Sequence, residues 1–282
     1  MNYLISGASG LIGSHLAKRL KNCGHAVFSL SRNFEIINLN AVDVLTSSPS
    51  PIPDHFEALF HCAAAHPSVS TIASDIVSGN IIYTKSMLRQ LTHVEIRNII
   101  FCSSIAVYGQ FRESEIDVDS PIIKPSLYGR TKLETEKHIT EWGLQQNSKI
   151  HIVRIPAVIG KNGHKTFLVR LISALTNGEL LKINSKKSKF NHAVYIDDLG
   201  SYLINLTLNE KEKTLSIVGS SSPLSLGDVV SLLQKRLSFF QSNITETGIE
   251  SNMINTQSAE LLGFKSMKTH DIVMKQAQIM GF

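Results

Sequence analysis

The chain has 282 residues, 43% of them hydrophobic and 18% charged, and its 28 Lys and Arg against 23 Asp and Glu give a formal net charge of +5. This composition excludes a disordered chain and provides for a large core, in one α/β unit or in two lobes. The mild basic excess fits a small anionic ligand. No dense Lys/Arg block with interleaved aromatics is present, which excludes a nucleic-acid surface, and no apolar run approaches membrane-spanning length.

A short apolar strand over residues 2–6 leads into Gly7-Ala-Ser-Gly10-Leu-Ile-Gly13 and then into apolar residues at helical spacing as far as Cys23. Strand, glycine turn and helix together read as a phosphate-binding element. Gly7 permits the turn, Gly10 lets the backbone approach a pyrophosphate, and Gly13 lets the helix pack on the strand; the helix N-terminus, with Ser9, Leu11 and Ile12, faces the anion. The spacing between the first two glycines is one residue longer than in the commonest dinucleotide fingerprint, and an ordinary strand-to-helix turn is the competing reading.

A second strand, 26–30, ends at Ser31-Arg32-Asn33; residues 41–45 form a third strand or its loop, and 47–53 a Pro/Ser-rich link. Residues 58–64 make a fourth strand running into a loop, 69–91 a long helix, 98–103 a fifth strand, 126–146 a helix and 150–154 a sixth strand. Such alternation with nearly continuous apolar strands predicts α/β class: a doubly wound parallel Rossmann sheet covered on both faces. After Gly160 the pattern changes to a helix (166–175), short strands (180–183 and 193–196), a helix opened by Asp197-Asp198, a strand (215–218), a helix from Leu226 and two more short helices. The division expected is a dinucleotide-binding domain over 1–160 and a smaller C-terminal α/β substrate lobe over 161–282, some segments of which return to the first domain. A substrate is expected in a cleft between the lobe and the strand ends.

Cys23, Cys62 and Cys102 lie in apolar patterns without metal-ligand spacing, so buried free thiols are expected, with no metal site and no disulfide framework. This suits a reducing compartment, and with a core strand rather than a leader at the N-terminus the expected location is cytoplasmic. The basic run 182–189 is either a solvated loop or a phosphate-gripping edge.

The chemistry lies in Tyr128-Gly-Arg-Thr-Lys132, which opens a helix and puts a phenol and an ammonium on one face. The ammonium, and a cationic nicotinamide, would lower the Tyr128 pKa so that the phenol exchanges a proton near neutral pH. Ser104 ends the fifth strand at the cleft edge, where its hydroxyl would bond the same substrate oxygen.

Gly7, Gly10 and Gly13; Asp43-Val44; His61-Cys-Ala63-Ala64; Asn80; Ser103-Ser104-Ile-Ala-Val-Tyr108-Gly109; Tyr128 with Lys132; Arg154; and Tyr195-Ile-Asp197-Asp198 together resemble the extended short-chain dehydrogenase/reductase family, in its epimerase/dehydratase branch, over essentially the whole chain. The resemblance implies that Tyr128 is the catalytic acid/base, that Lys132 holds the nicotinamide ribose and tunes Tyr128, and that Ser104 orients the substrate oxygen. It places Asp43 and Val44 by the adenine, and adds Cys62, Ala63, Ala64, Asn80 and Pro156 to the cofactor side. On the substrate side it places His66, Ile105, Ala157, Lys187, Lys189 and Asn191.

Arg32, where an acidic residue would select the unphosphorylated ribose, favours NADP(H); stacked over adenine it would also suit NAD(H). Dehydratases of the branch carry an Asp-Glu pair after the serine, and here Ile105-Ala106 disfavour that chemistry. Two departures bear on the substrate: Ala157 replaces an Asn that contacts the nucleotide, and Asn191 an Arg that clamps the diphosphate, with Lys187, Lys189 or His192 as substitutes. A nucleotide-sugar is still the expected substrate. The main reading is an NADPH-dependent reductase of a keto group on a nucleotide-linked deoxysugar; the alternatives are an NAD-dependent nucleotide-sugar epimerase and a non-catalytic NADP-binding sensor, against which the intact Ser104, Tyr128 and Lys132 argue. A homodimer through the helices at 69–91 and 126–146 is the usual arrangement in such families.

Overall fold

The computed structural model describes residues 1–40, 52–67, 70–110, 113–161, 163, 166–238, 244–249 and 251–282. Two compact units divide the chain: one takes Met1–Gly109, Ile122–Arg154 and Gly200–Ser216, the other Gln110–Pro121, Ile155–Leu199 and Ile217–Phe282.

The first unit is built on β1 (Asn2–Ser6), α1 (Leu11–Asn22), β2 (Ala26–Leu30), β3 (Ile36–Asn38), β4 (His55–His61), α2 (Ala73–Val77), α3 (Tyr83–Gln90), β5 (Glu95–Ser104), α4 (Leu127–Gln145), β6 (Lys149–Ile155) and β7 (Lys213–Ile217). The seven strands form one sheet in the order β7-β6-β5-β4-β1-β2-β3. β1 pairs parallel with β2 on one side and β4 on the other, Leu4 lying between Phe28 and Leu59. β4 and β5 are also parallel, whereas β3 turns back antiparallel on β2. The strands are nearly continuous apolar runs because both faces are covered. Leu4, Phe56, Leu59, Ile99 and Phe101 share a core cluster with Met87 and Leu91 at the α3 end and Ile139 of α4. Emptying such a site, as in Leu59→Ala, costs about 2–5 kcal/mol.

The chain leaves β1 for β2 on one side and returns to β4 on the other, so the β1/β4 boundary is a topological switch point, where α/β sheets bind ligands beyond the strand C-termini. Gly7 follows β1 there and Cys62 follows β4.

In the second unit the helices Phe167–Asn177, Leu226–Leu237 and Thr269–Ile279 share a core of Leu171, Ile172, Val229, Leu233, Ile272 and Val273. Two of them start on side-chain caps: Thr166 accepts from the Val169 amide, and Ser225 and Asp228 form a capping box. The described strands of this unit form two-stranded sheets, among them Ala157–Ile159 with Ala193–Tyr195 and Glu115–Ile116 with Met253–Ile254.

Several expectations change. The strand or loop expected at 41–45, with Asp43 and Val44, lies outside the described residues. The short antiparallel β3 was not anticipated, because three residues carry too little pattern to read. The strand expected at 215–218 is Lys213–Ile217 and lies at the edge of the main sheet. The long helix expected at 69–91 is interrupted by a π turn over Ser78–Ile82 between α2 and α3. Cys23, expected to be buried, is exposed, since it caps the C-terminal end of α1 instead of facing the sheet. Among the described residues no helix is long and apolar enough to cross a membrane.

Candidate active site

The glycine turn shows why side chains are missing there. Gly7 has φ +73°, and a Cβ on it would lie 2.7 Å from the Ala63 amide nitrogen. A Cβ on Gly13 would lie 2.2 Å from the Gly7 carbonyl oxygen, so α1 rests directly on the turn. Gly10 caps α1 with no side-chain hydrogen bond, and Ser9 and Gly10 are exposed with Leu11 and Ile12 half-buried behind them. Unclaimed helix N-terminal amides in a groove too narrow for a Cβ fit a pyrophosphate. The residues present therefore suit a dinucleotide. Arg32 is exposed in the turn after β2.

Behind the turn runs a polar chain. Thr84 donates to the Asn80 carbonyl at 2.6 Å, so its oxygen accepts from His61 Nε2 at 2.8 Å; His61 Nδ1 then accepts from Ser6 at 2.6 Å, and Ser6 accepts from the Ala63 amide at 3.4 Å. His61 is thus neutral, and burial with the nearby Lys132 charge pulls its pKa down to about 3. The Asn80 side chain accepts from the Ala65 amide at 2.7 Å and donates to Thr131 at 2.9 Å, tying the loop after β4 to α4. Asn80 sits in the π turn, an element frequent at functional sites.

Tyr128 and Lys132 lie one turn apart on α4, whose N-cap Ser126 accepts from the Gly129 amide. Ser104 is hydrogen-bonded with the Tyr128 phenol, and the His66 ring stands 5.4 Å from the Tyr128 ring. Lys132 is buried, donates to the Cys102 carbonyl at 2.6 Å and lies 4.5 Å over the Phe101 ring. Burial pulls its ammonium down to about 8, with Cys102, Cys62 and Glu136 opposing. From the chain's own groups, burial pushes the Tyr128 phenol up to about 12, and Lys132, turned to Cys102, is not among the causes.

One turn beyond Lys132, buried Glu136 takes Ser103 at 2.5 Å and two bonds from Arg154, which also donates to Tyr108 at 2.7 Å. Burial opposes the Arg154 charge, but bonds to and charge on Glu136 outweigh it and raise the guanidinium pKa. This buried pair ties α4 to β5 and β6. The sequence reading assigned no role to Ser6, Thr84, Thr131 or Glu136; the available signal was a polar residue inside an apolar run or one helical turn from an assigned residue.

Pro156, Ala157, Lys187, Lys189 and Asn191 belong to the second unit. Pro156 and Ala157 are half-buried and the two lysines exposed. Asn191 is buried, and its side-chain amide both donates to the Ile254 carbonyl and accepts from the Ile254 amide, so it serves the backbone of its own unit.

A glycine turn at the switch point and a Ser-Tyr-Lys set across β5 and α4 define the short-chain dehydrogenase/reductase class. The chain belongs to the NAD dependent epimerase/dehydratase family, whose model matches residues 3–217. Among solved structures, it is similar to a UDP-glucuronic acid 4-epimerase from Bacillus cereus in complex with NAD, with a TM-score of 0.78, 22% identity and 99% of each chain covered. A putative UDP-glucose 4-epimerase of Methanocaldococcus jannaschii is 22% identical over 93% of this chain and 92% of its own. A GDP-mannose 3,5-epimerase 1 of Oryza sativa subsp. indica is 23% identical over 81% of this chain and 67% of its own.

Proposed function

We propose that the protein is an NAD(P)-dependent epimerase of a nucleotide-linked sugar, oxidising one carbinol and re-reducing it from the opposite face. The observation that carries this is a single acid/base, Tyr128, bonded with Ser104 and backed by Lys132, with only aliphatic Ile105 and Ala106 where an elimination would need a further acid and base. One group that takes a proton and gives it back suffices for reversible carbinol oxidation. A bound nicotinamide would accept hydride from the sugar carbon and return it. Tyr128 would take the hydroxyl proton while Ser104 holds that oxygen, and return it as the ketone is reduced. The relatives named as epimerases of UDP- and GDP-sugars support the substrate class, and the NAD in the similar solved structure supports NAD as the partner. With Asn191 committed to Ile254, Lys187 and Lys189 are the candidate diphosphate partners in the second unit.

Arg32 favours the second reading, an NADPH-dependent reductase of a nucleotide-linked keto-sugar. The two separate cleanly. An epimerase is expected to retain dinucleotide through purification and to convert UDP-glucose or UDP-glucuronic acid to the C4 epimer with no net change in absorbance at the reduced-nicotinamide wavelength. Tyr128→Phe should lower kcat by about 100- to 10,000-fold with dinucleotide content unchanged. Stoichiometric consumption of NADPH on a keto-sugar would select the reductase instead.

A further inference from the structure

The register of the sheet brings together two thiols that the proposed chemistry does not use. His61 of β4 pairs with Phe101 of β5, and the residues that follow, Cys62 and Cys102, have Sγ atoms 3.7 Å apart. Neighbouring strands lie about 4.8 Å apart, inside the Cα separation that a disulfide accepts, so closure to about 2.05 Å needs rotation of side chains rather than rearrangement of the sheet. We propose that Cys62 and Cys102 are a hydroperoxide-sensitive dithiol whose intramolecular disulfide weakens dinucleotide binding.

Cys62 is half-buried at the open end of β4, which gives a small oxidant access, while Cys102 is 5% exposed beneath it. The bond with Cys102 and burial hold the Cys62 thiol well above its ordinary range, with the Lys132 charge opposing, and its place at the open end makes Cys62 the thiol that meets the oxidant and Cys102 the one that resolves. In balance, Cys62, losing its proton as it reacts, attacks the peroxide oxygen and the O–O bond breaks, the departing alkoxide or hydroxide taking that proton. Cys102 then attacks the sulfenic sulfur and expels water. Two thiols and one hydroperoxide become one disulfide, one alcohol or water, and one water. The consequence follows from what the strand ends hold: the Cys102 carbonyl receives Lys132, and Ala63, next to Cys62, walls the Gly7 turn. Only that consequence rests on the proposed function.

The test uses the full chain with Cys23→Ser, which removes the exposed third thiol. After hydrogen peroxide, the denatured protein is alkylated with N-ethylmaleimide and digested. The expected result is loss of both alkylatable thiols, a peptide pair joined through Cys62 and Cys102, and recovery of both thiols with dithiothreitol. NAD affinity, compared in each protein before and after peroxide, should fall and recover in step, and should stay constant when Cys102 is replaced by Ser. Thiols that remain alkylatable under conditions that oxidise Cys23 in the wild-type chain would overturn the proposal, as would a disulfide that leaves NAD affinity unchanged. Failure of the reduced protein to bind any dinucleotide would instead sink the assigned cofactor site, leaving the peptide result to stand or fall alone.

Discussion

Tyr128 illustrates how burial overrides a pairing that looks favourable on one helix. The phenol and Lys132 are one turn apart, yet the ammonium is bound to the Cys102 carbonyl and the phenol is held at about 12. A phenol with that value is protonated and a poor base at neutral pH, so in the proposed reaction taking the hydroxyl proton would call on the positive charge of an oxidised nicotinamide. A spectrophotometric phenolate titration of the unliganded protein, compared with Tyr128→Phe, should show no ionisation of Tyr128 below about 10, the ordinary phenol value. With NAD bound, the difference should move toward neutral pH. A phenol that titrates near neutrality without NAD would mean that the chain's own charges suffice. Arg32 carries the other test on a single side chain: Arg32→Asp should weaken NADPH far more than NADH, by removing a phosphate partner and adding a repelling charge. Equal losses by calorimetry would remove Arg32 as a reader of the ribose phosphate.

The junction of β1 and α1 depends on contact distances rather than on helix propensity. Gly13→Ala adds a methyl 2.2 Å from the Gly7 oxygen and 2.8 Å from its carbon, and both are backbone atoms that can yield only by moving the turn. The substitution improves helix propensity, so a gain in stability is what propensity alone would expect. Overpacking of this kind costs about 1–3 kcal/mol, and it falls where the pyrophosphate is expected. Thermal denaturation should show a lower midpoint, and NAD affinity should drop, whereas Tyr128→Phe leaves it unchanged. Unchanged values for both would show that the turn relaxes freely.

Both compact units contain neutral histidines withdrawn from water, His61 and His151 buried and His192 half-buried, so acid is expected to destabilise the molecule. Burial pulls His61 to about 3 and His151 to about 4 in the first unit, and His192 to about 4 in the second. The unfolded value is about 6.5, so between these limits the unfolded chain holds more protons than the folded one. Stability is therefore fully present above pH of about 6.5 and is lost as pH falls through the folded values, each histidine adding at most ~1.4 kcal/mol per pH unit to the slope. Melting temperature should be level above that pH and should decline from about 6.5 toward 4. A flat profile across that window would mean that the three imidazoles protonate without unfolding cost.

Features that depend on neighbours in sequence were legible in it. The apolar strand runs, the glycine turn and the Tyr128–Lys132 spacing all arise within a few residues, where backbone geometry sets which side chains meet. Family membership was legible for the same reason, since the order of those short motifs is itself sequence. Whether two strands lie side by side, and how much water is removed from a group, are set by pairing between distant segments. The return of Lys213–Ile217 to the sheet edge, the bond between Asn191 and Ile254, the contact of Cys62 with Cys102 and the pKa values of Tyr128 and His61 are all of this kind. Only the tertiary structure decides them, because burial and long-range register are properties of the folded chain and leave no periodicity to read.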